Sequence, residues 1–172
     1  MKKNLFFLTF FFLIGCASNS ITTTNIACPN VFFATEHKKY IDSYTKPISI
    51  DKLNYSAEIN NYAFNSDCLI IDDMIQAELS LLFIVNPYQV EVSQVNLPFY
   101  VAILNEINEV VDMQYYQVEG NLKRDPETKN YIETELTKTV TLQMSSLDYQ
   151  VNSRNAVIVG FMLDKKKLEI LN

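Results

Sequence analysis

Leu53-Asn54-Tyr55-Ser56-Ala57-Glu58-Ile59-Asn60 decides the fold class. Apolar Leu53, Tyr55, Ala57 and Ile59 alternate with polar Asn54, Ser56, Glu58 and Asn60, the period of two expected of a strand with one buried face. Residues 76–85 open with the same alternation and put Ala77, Leu79, Leu81, Phe83 and Val85 on one side. Leu82 and Ile84 in the second half predict cover on both sides there. Asn86-Pro87 ends the run.

The pattern continues downstream. Leu97-Pro98 opens an apolar run to Leu104, polar residues 105–109 follow, and residues 110–118 make a further strand, which together predict a hairpin. Gly120, Lys123, Arg124, Asp125 and Pro126 mark a turn or loop. Residues 131–144 alternate through Ile132, Thr134 and Leu136, then through Val140, Leu142 and Met144, and the drift near Thr137 to Thr139 predicts a bulge or break. Residues 145–149 suggest a short turn, residues 156–163 a strong last strand, and residues 164–168 one helical turn. Seven or eight strands at spacings near ten residues predict an all-β fold, a two-sheet antiparallel sandwich. The sandwich domain is expected over residues 28–172.

The first residues belong to a different class. Lys2 and Lys3 precede an unbroken apolar run from Leu5 to Ile14, and Gly15-Cys16 follows. This is the layout of a secretory signal peptide, and Leu13-Ile14-Gly15-Cys16 resembles a lipobox. In such signals the chain is cut before the cysteine, here after residue 15, and Cys16 becomes the acylated N-terminus. The apolar run is about half the roughly 20 residues that a membrane-spanning helix needs. Each buried lipid CH₂ contributes about 0.8 kcal/mol, and two or more chains make anchoring stable. Residues 17–27 are polar and without period, so a flexible tether is expected over 16–27, with an r.m.s. reach of about 18 Å and a maximum of about 38 Å. Ala17-Ser18 lacks the aspartate that retains enteric lipoproteins at the inner membrane. The resemblance therefore implies an outer-membrane anchor facing the periplasm.

Charge narrows the partners. The chain carries 14 Lys+Arg against 20 Asp+Glu, a formal net charge of −6. Loss of Lys2 and Lys3 with the signal peptide leaves twelve against twenty, or −8. Nucleic acid is excluded as a partner, because its binding depends on neutralising phosphates with basic side chains. Cys16 being lipidated, Cys28 and Cys68 form an even pair in an oxidising compartment, and a disulfide between them is expected. It closes a loop of about 40 residues, for which the chain-entropy model gives roughly 4 kcal/mol. Two cysteines and one distant histidine fall short of a zinc set.

Cys28-Pro29, Tyr55-Ser56-Ala57-Glu58-Ile59, Asp67-Cys68, Leu97-Pro98-Phe99-Tyr100-Val101-Ala102 and Val157-Ile158-Val159-Gly160-Phe161 occur in that order. In order and spacing the chain resembles a family of small proteobacterial envelope lipoproteins with an immunoglobulin-like β-sandwich. The resemblance spans residues 28–168 and implies structural roles for Cys16, Cys28 and Cys68, with no activity attached.

Signals of catalysis are sparse. Only Gly120 and Gly160 remain after residue 15, so no phosphate-cradling glycine loop is available. His37, the single histidine, sits among Glu36, Lys38 and Lys39 and reads as part of a solvated segment, and no G-x-S-x-G is present. Asp67, Asp72 and Asp73 form the densest carboxylate group; a calcium loop pattern is missing, and a charged turn is the better reading. No cofactor, metal site or catalytic residue is assigned. Of Tyr115-Tyr116 and Phe99-Tyr100, one member of each pair faces outward, and Tyr100 with one of the two later tyrosines is expected on a solvent face, although edge or core packing competes. Lys165, Lys166 and Lys167 either touch headgroups or keep the last strand from pairing with strangers. The sequence thus predicts a non-enzymatic accessory module, bound to the membrane through Cys16 and docking onto another envelope protein. The alternatives are a binding module for a small apolar ligand or lipid, and a hydrolase using the three aspartates.

Overall fold

A computed structural model describes residues 23–89, 92–145 and 156–171. Cys16 and residues 146–149 lie outside them. The chain forms an all-β sandwich of two sheets with one C-terminal helix.

Sheet A is built on the long strand β6 (Met74–Pro87). One edge of β6 pairs with β9 (Thr134–Ser145), and the other edge pairs with β4 (Leu53–Phe64) and then β5 (Cys68–Ile71). The short strands β3 (Lys39–Ser43) and β1 (Thr23–Ile26) lie outside β4 and β5. Sheet B has the order β2 (Asn30–Phe33), β10 (Ala156–Phe161), β7 (Gln94–Leu104) and β8 (Val110–Asn121).

The alternation of the sequence becomes the burial of the sheets. Leu53, Tyr55, Ala57 and Ile59 all point into the core, as do Ala77, Leu79, Leu81, Phe83 and Val85. Leu82 and Ile84 are half-buried on the other face, partial cover where two-sided cover was expected. Between the sheets Phe83 meets Phe99 at 5.2 Å and Phe161 at 5.8 Å, ring centre to ring centre. Side chains of this size, fully withdrawn from water, each contribute about 1.5–3 kcal/mol.

Several expectations need correction. Ten strands form among the described residues where seven or eight were expected, because short β1, β2, β3 and β5 lack a legible alternation. The sandwich is mixed and not wholly antiparallel, since β2 runs parallel to β10. The tether expected over 16–27 gives up residues 23–26 to β1, where backbone bonds to β5 need no apolar side chains. No register shift occurs near Thr137 to Thr139, and β9 pairs with β6 without interruption from Thr134 to Ser145. The shifts fall instead at Ile59/Asn61, Asp42/Ser43 and Ile103/Leu104. The expected last helical turn extends to a seven-residue helix, α1 (Lys165–Leu171), whose first turn is capped by Asp164: its Oδ1 accepts from the Lys167 N–H at 2.8 Å.

Candidate binding face

Cys28 and Cys68 are joined, with Cα atoms 5.2 Å apart. The bond sits where the chain leaves sheet A at β1 and enters sheet B at β2, and Cys68 is fully buried. It fixes the crossover that allows β2 to lie parallel to β10.

The segment around His37 is solvated as expected, with Glu36 and Lys39 exposed, but His37 itself is half-buried. It ends a 3₁₀ turn, Thr35–His37, and its Nδ1–H donates to the Phe161 carbonyl at 3.0 Å. Its ring meets Tyr100 edge to face at 5.7 Å. Gly160 makes this arrangement possible, because a β-carbon there would stand 2.6 Å from the Tyr100 hydroxyl and 2.8 Å from the His37 β-carbon. Histidine, tyrosine and glycine form one packed group on the outer face of sheet B.

Asp72 and Asp73 form the two-residue turn between β5 and β6, both with positive φ (49° and 61°). That is the backbone of the tight hairpin turn that suits twisted strands. Among the described residues no group of three or more His, Cys, Asp or Glu side chains is placed to hold a metal ion. The lysine run is divided. Lys165 makes an exposed pair with Glu169 at 3.8 Å, whereas Lys167 turns inward, 3.8 Å from the Tyr40 ring centre, and donates to the Tyr40 hydroxyl at 2.6 Å. Burial holds the Lys167 ammonium below its usual range, against the opposite pull of Asp42 and Asp164. The Tyr40 hydroxyl is pushed up to about 12 by burial, with the charges of Asp42 and Asp164 adding to it.

The outer face of sheet B carries the remaining candidates. Tyr100 lies directly opposite Tyr115, as expected for outward-facing members, and Phe99 opposite Tyr116. Phe99 is fully buried and stacks on Tyr116 at 5.5 Å, whereas Tyr115 is 63% exposed. Toward the hairpin end, Ile107, Val110, Val111 and Met113 are also exposed, so five of the thirteen exposed large apolar side chains among the described residues fall within residues 107–115. The turn that carries Ile107 is held by Asn105, whose Oδ1 accepts from the Ile107 and Glu109 N–H groups at 3.1 and 2.8 Å.

In the opposite direction the face becomes polar. Pro98 lies opposite Gln117, Asn96 opposite Glu119, and Gln94 opposite Asn121. β10 ends at Phe161 and no longer covers this half of β7. The gap opens into a cleft of about 760 Å³, lined by these six residues, by Val92, Val95 and Gly120, and by Tyr40, Asp42 and Tyr55 of sheet A. Tyr55 reaches across: its hydroxyl donates to the Asn96 carbonyl at 3.1 Å and accepts from the Asn96 N–H at 3.3 Å. Burial pushes the Tyr55 hydroxyl well above the ordinary tyrosine range. Sequence reasoning did not find this cleft, since nothing in the local pattern of residues 94–98 reveals that β10 stops short of them.

No protein-family model, no curated protein and no solved structure matches this chain. No helix among the described residues is long and apolar enough to cross a membrane.

Proposed function

We propose that this protein is a lipid-anchored accessory module of the bacterial envelope, of the lipoprotein type that its first 16 residues resemble, held at the outer membrane through Cys16. Its β-sandwich docks onto another envelope protein without catalysing a reaction. The observation that carries the reading is the exposed apolar end of the β7–β8 hairpin, where Ile107 is 71% and Val110 54% exposed. Contiguous apolar surface of this kind marks interaction sites on soluble domains. Glu106, Glu109 and Asp112 flank it, and no Lys or Arg lies between residues 53 and 122, which suits a partner with a basic rim. The alternative, an apolar ligand held between the sheets, has less support, since Phe83, Phe99, Phe161 and Leu97 fill that space and the cleft beside it is polar.

A photoreactive residue placed at Ile107 or Val111 in intact cells is expected to crosslink one dominant envelope protein. The same residue at Glu78, exposed on sheet A, is not. Equal recovery from all three positions would overturn the docking assignment. Failure of the protein to incorporate labelled palmitate, with Cys16→Ser as the unlabelled control, would overturn the anchor.

A further inference from the structure

Four cross-strand rows run along the outer face of β7 and β8: Tyr100/Tyr115, Pro98/Gln117, Asn96/Glu119 and Gln94/Asn121. Rows two residues apart give a strip of about 20 Å. It begins at an exposed phenol ring and continues through amides, a carboxylate and a proline ring into the cleft of about 760 Å³. Asparagine and glutamine each present donors and an acceptor, and Glu119 adds acceptors. The lining of the cleft contains Asp42 and Glu119 and no Lys or Arg.

This chemistry selects among occupants. An apolar ligand finds mostly polar groups, and burying those without partners is costly. A polyanion meets two carboxylates and no lining cation. An added β-strand lacks a free edge, because β8 pairs with one side of β7 and the Tyr55 hydroxyl already satisfies both backbone groups of Asn96 on the other. Recognition is left to side chains that alternate donors and acceptors at close spacing beside an exposed aromatic ring. A chain of neutral sugars matches that, since each ring offers hydroxyls at its rim and C–H bonds on its face.

We propose that the strip from Tyr115 to Gln94 and Asn121, with its adjoining cleft, is a binding site for a neutral glycan chain. Gln117, Glu119, Asn96 and Gln94 bond its hydroxyls, and Tyr115 stacks on a sugar face. The polar rows of this site lie beyond the apolar hairpin end and Tyr115 borders both, so Gln117→Ala is expected to leave protein docking unchanged.

The test is titration calorimetry on the full chain with its native N-terminus, in a detergent without a sugar headgroup. The probes are maltohexaose, cellohexaose and chitohexaose as neutral chains, tetragalacturonate as an anionic one and hexalysine as a cation. At least one neutral hexasaccharide is expected to bind with Kd below about 1 mM, and tetragalacturonate at least about tenfold more weakly. Loss of one hydrogen-bonding side chain, in Gln117→Ala or Glu119→Ala, is expected to weaken the neutral ligand roughly three- to tenfold. Tyr115→Ala is expected to weaken it similarly. These positions are exposed, so folding is retained, which circular dichroism checks. The proposal is overturned if none of the three neutral chains binds below that limit, if the substitutions leave Kd unchanged, or if hexalysine or tetragalacturonate binds more tightly than every neutral chain.

Discussion

The Tyr55 hydroxyl on sheet A both donates to and accepts from the backbone of Asn96 on sheet B, at 3.1 and 3.3 Å. One side chain thus stands in for the strand that β7 lacks after β10 ends, and it partners both backbone groups of Asn96 in a part-buried setting. The same contact sets the floor of the cleft, so the stability of the sandwich and the shape of its open side depend on one phenol.

Tyr55→Phe keeps the ring in the core and removes only the bridge. A loss of about 1 kcal/mol is expected from equilibrium denaturation. Amide exchange at Asn96 is expected to accelerate more than at Val101, which lies deep in the β7 ladder. Equal acceleration at both sites would show that the phenol supports the whole sheet and not this edge.

Gly160→Ala forces a methyl group against the Tyr100 ring and the His37 β-carbon. The His37 β-carbon sits beside its own backbone and yields little, so overpacking of about 1–3 kcal/mol is expected. Gly120→Ala meets the end of the Leu136 side chain, its two methyls first and then Cγ, and this flexible end turns aside at lower cost. Thermal melts that rank Gly120→Ala as the more damaging change would refute this account of the two glycines.

Reduction of the Cys28–Cys68 bond, or Cys28→Ala with Cys68→Ala, is expected to cost about 2–5 kcal/mol, read as a lower urea midpoint. Because the bond holds the crossover between β1 and β2, exchange protection is expected to fall first in β2, in its pairing with β10. Loss beginning in β9 instead would place the weak point elsewhere.

Stability at alkaline pH follows from Tyr40. Its hydroxyl titrates near 10.0 in the unfolded chain and about 12 in the fold, so its contribution is complete below pH 10 and disappears as pH rises through about 12. Tyr55, Tyr100 and Tyr116 are raised by burial and act in the same direction. Lys167, lowered by burial, opposes them at the lower end of this range. Tyr40→Phe is therefore expected to lose less stability than the parent between pH 10 and 12, measured by circular dichroism alongside tyrosinate absorbance. An identical alkaline transition in both proteins would remove Tyr40 from the explanation.

The sequence by itself determined the fold class and the central strands, because residues 53–60 and 76–81 alternate strictly and one slip would turn their apolar side chains to water. It also determined the disulfide, from an even pair of cysteines, and that Tyr100 and one of Tyr115 and Tyr116 face outward, from the same period of two; pairing with β7 decided that the second is Tyr115. Tertiary structure alone decided where strands stop and which faces are left uncovered. The pairing of β1 rests on backbone groups that any residue provides. The role of His37 depends on Phe161, 124 residues away, and the inward turn of Lys167 depends on Tyr40, 127 residues away. The cleft exists because β10 is shorter than β7. These are contacts between segments distant in the chain, and local periodicity carries no record of them.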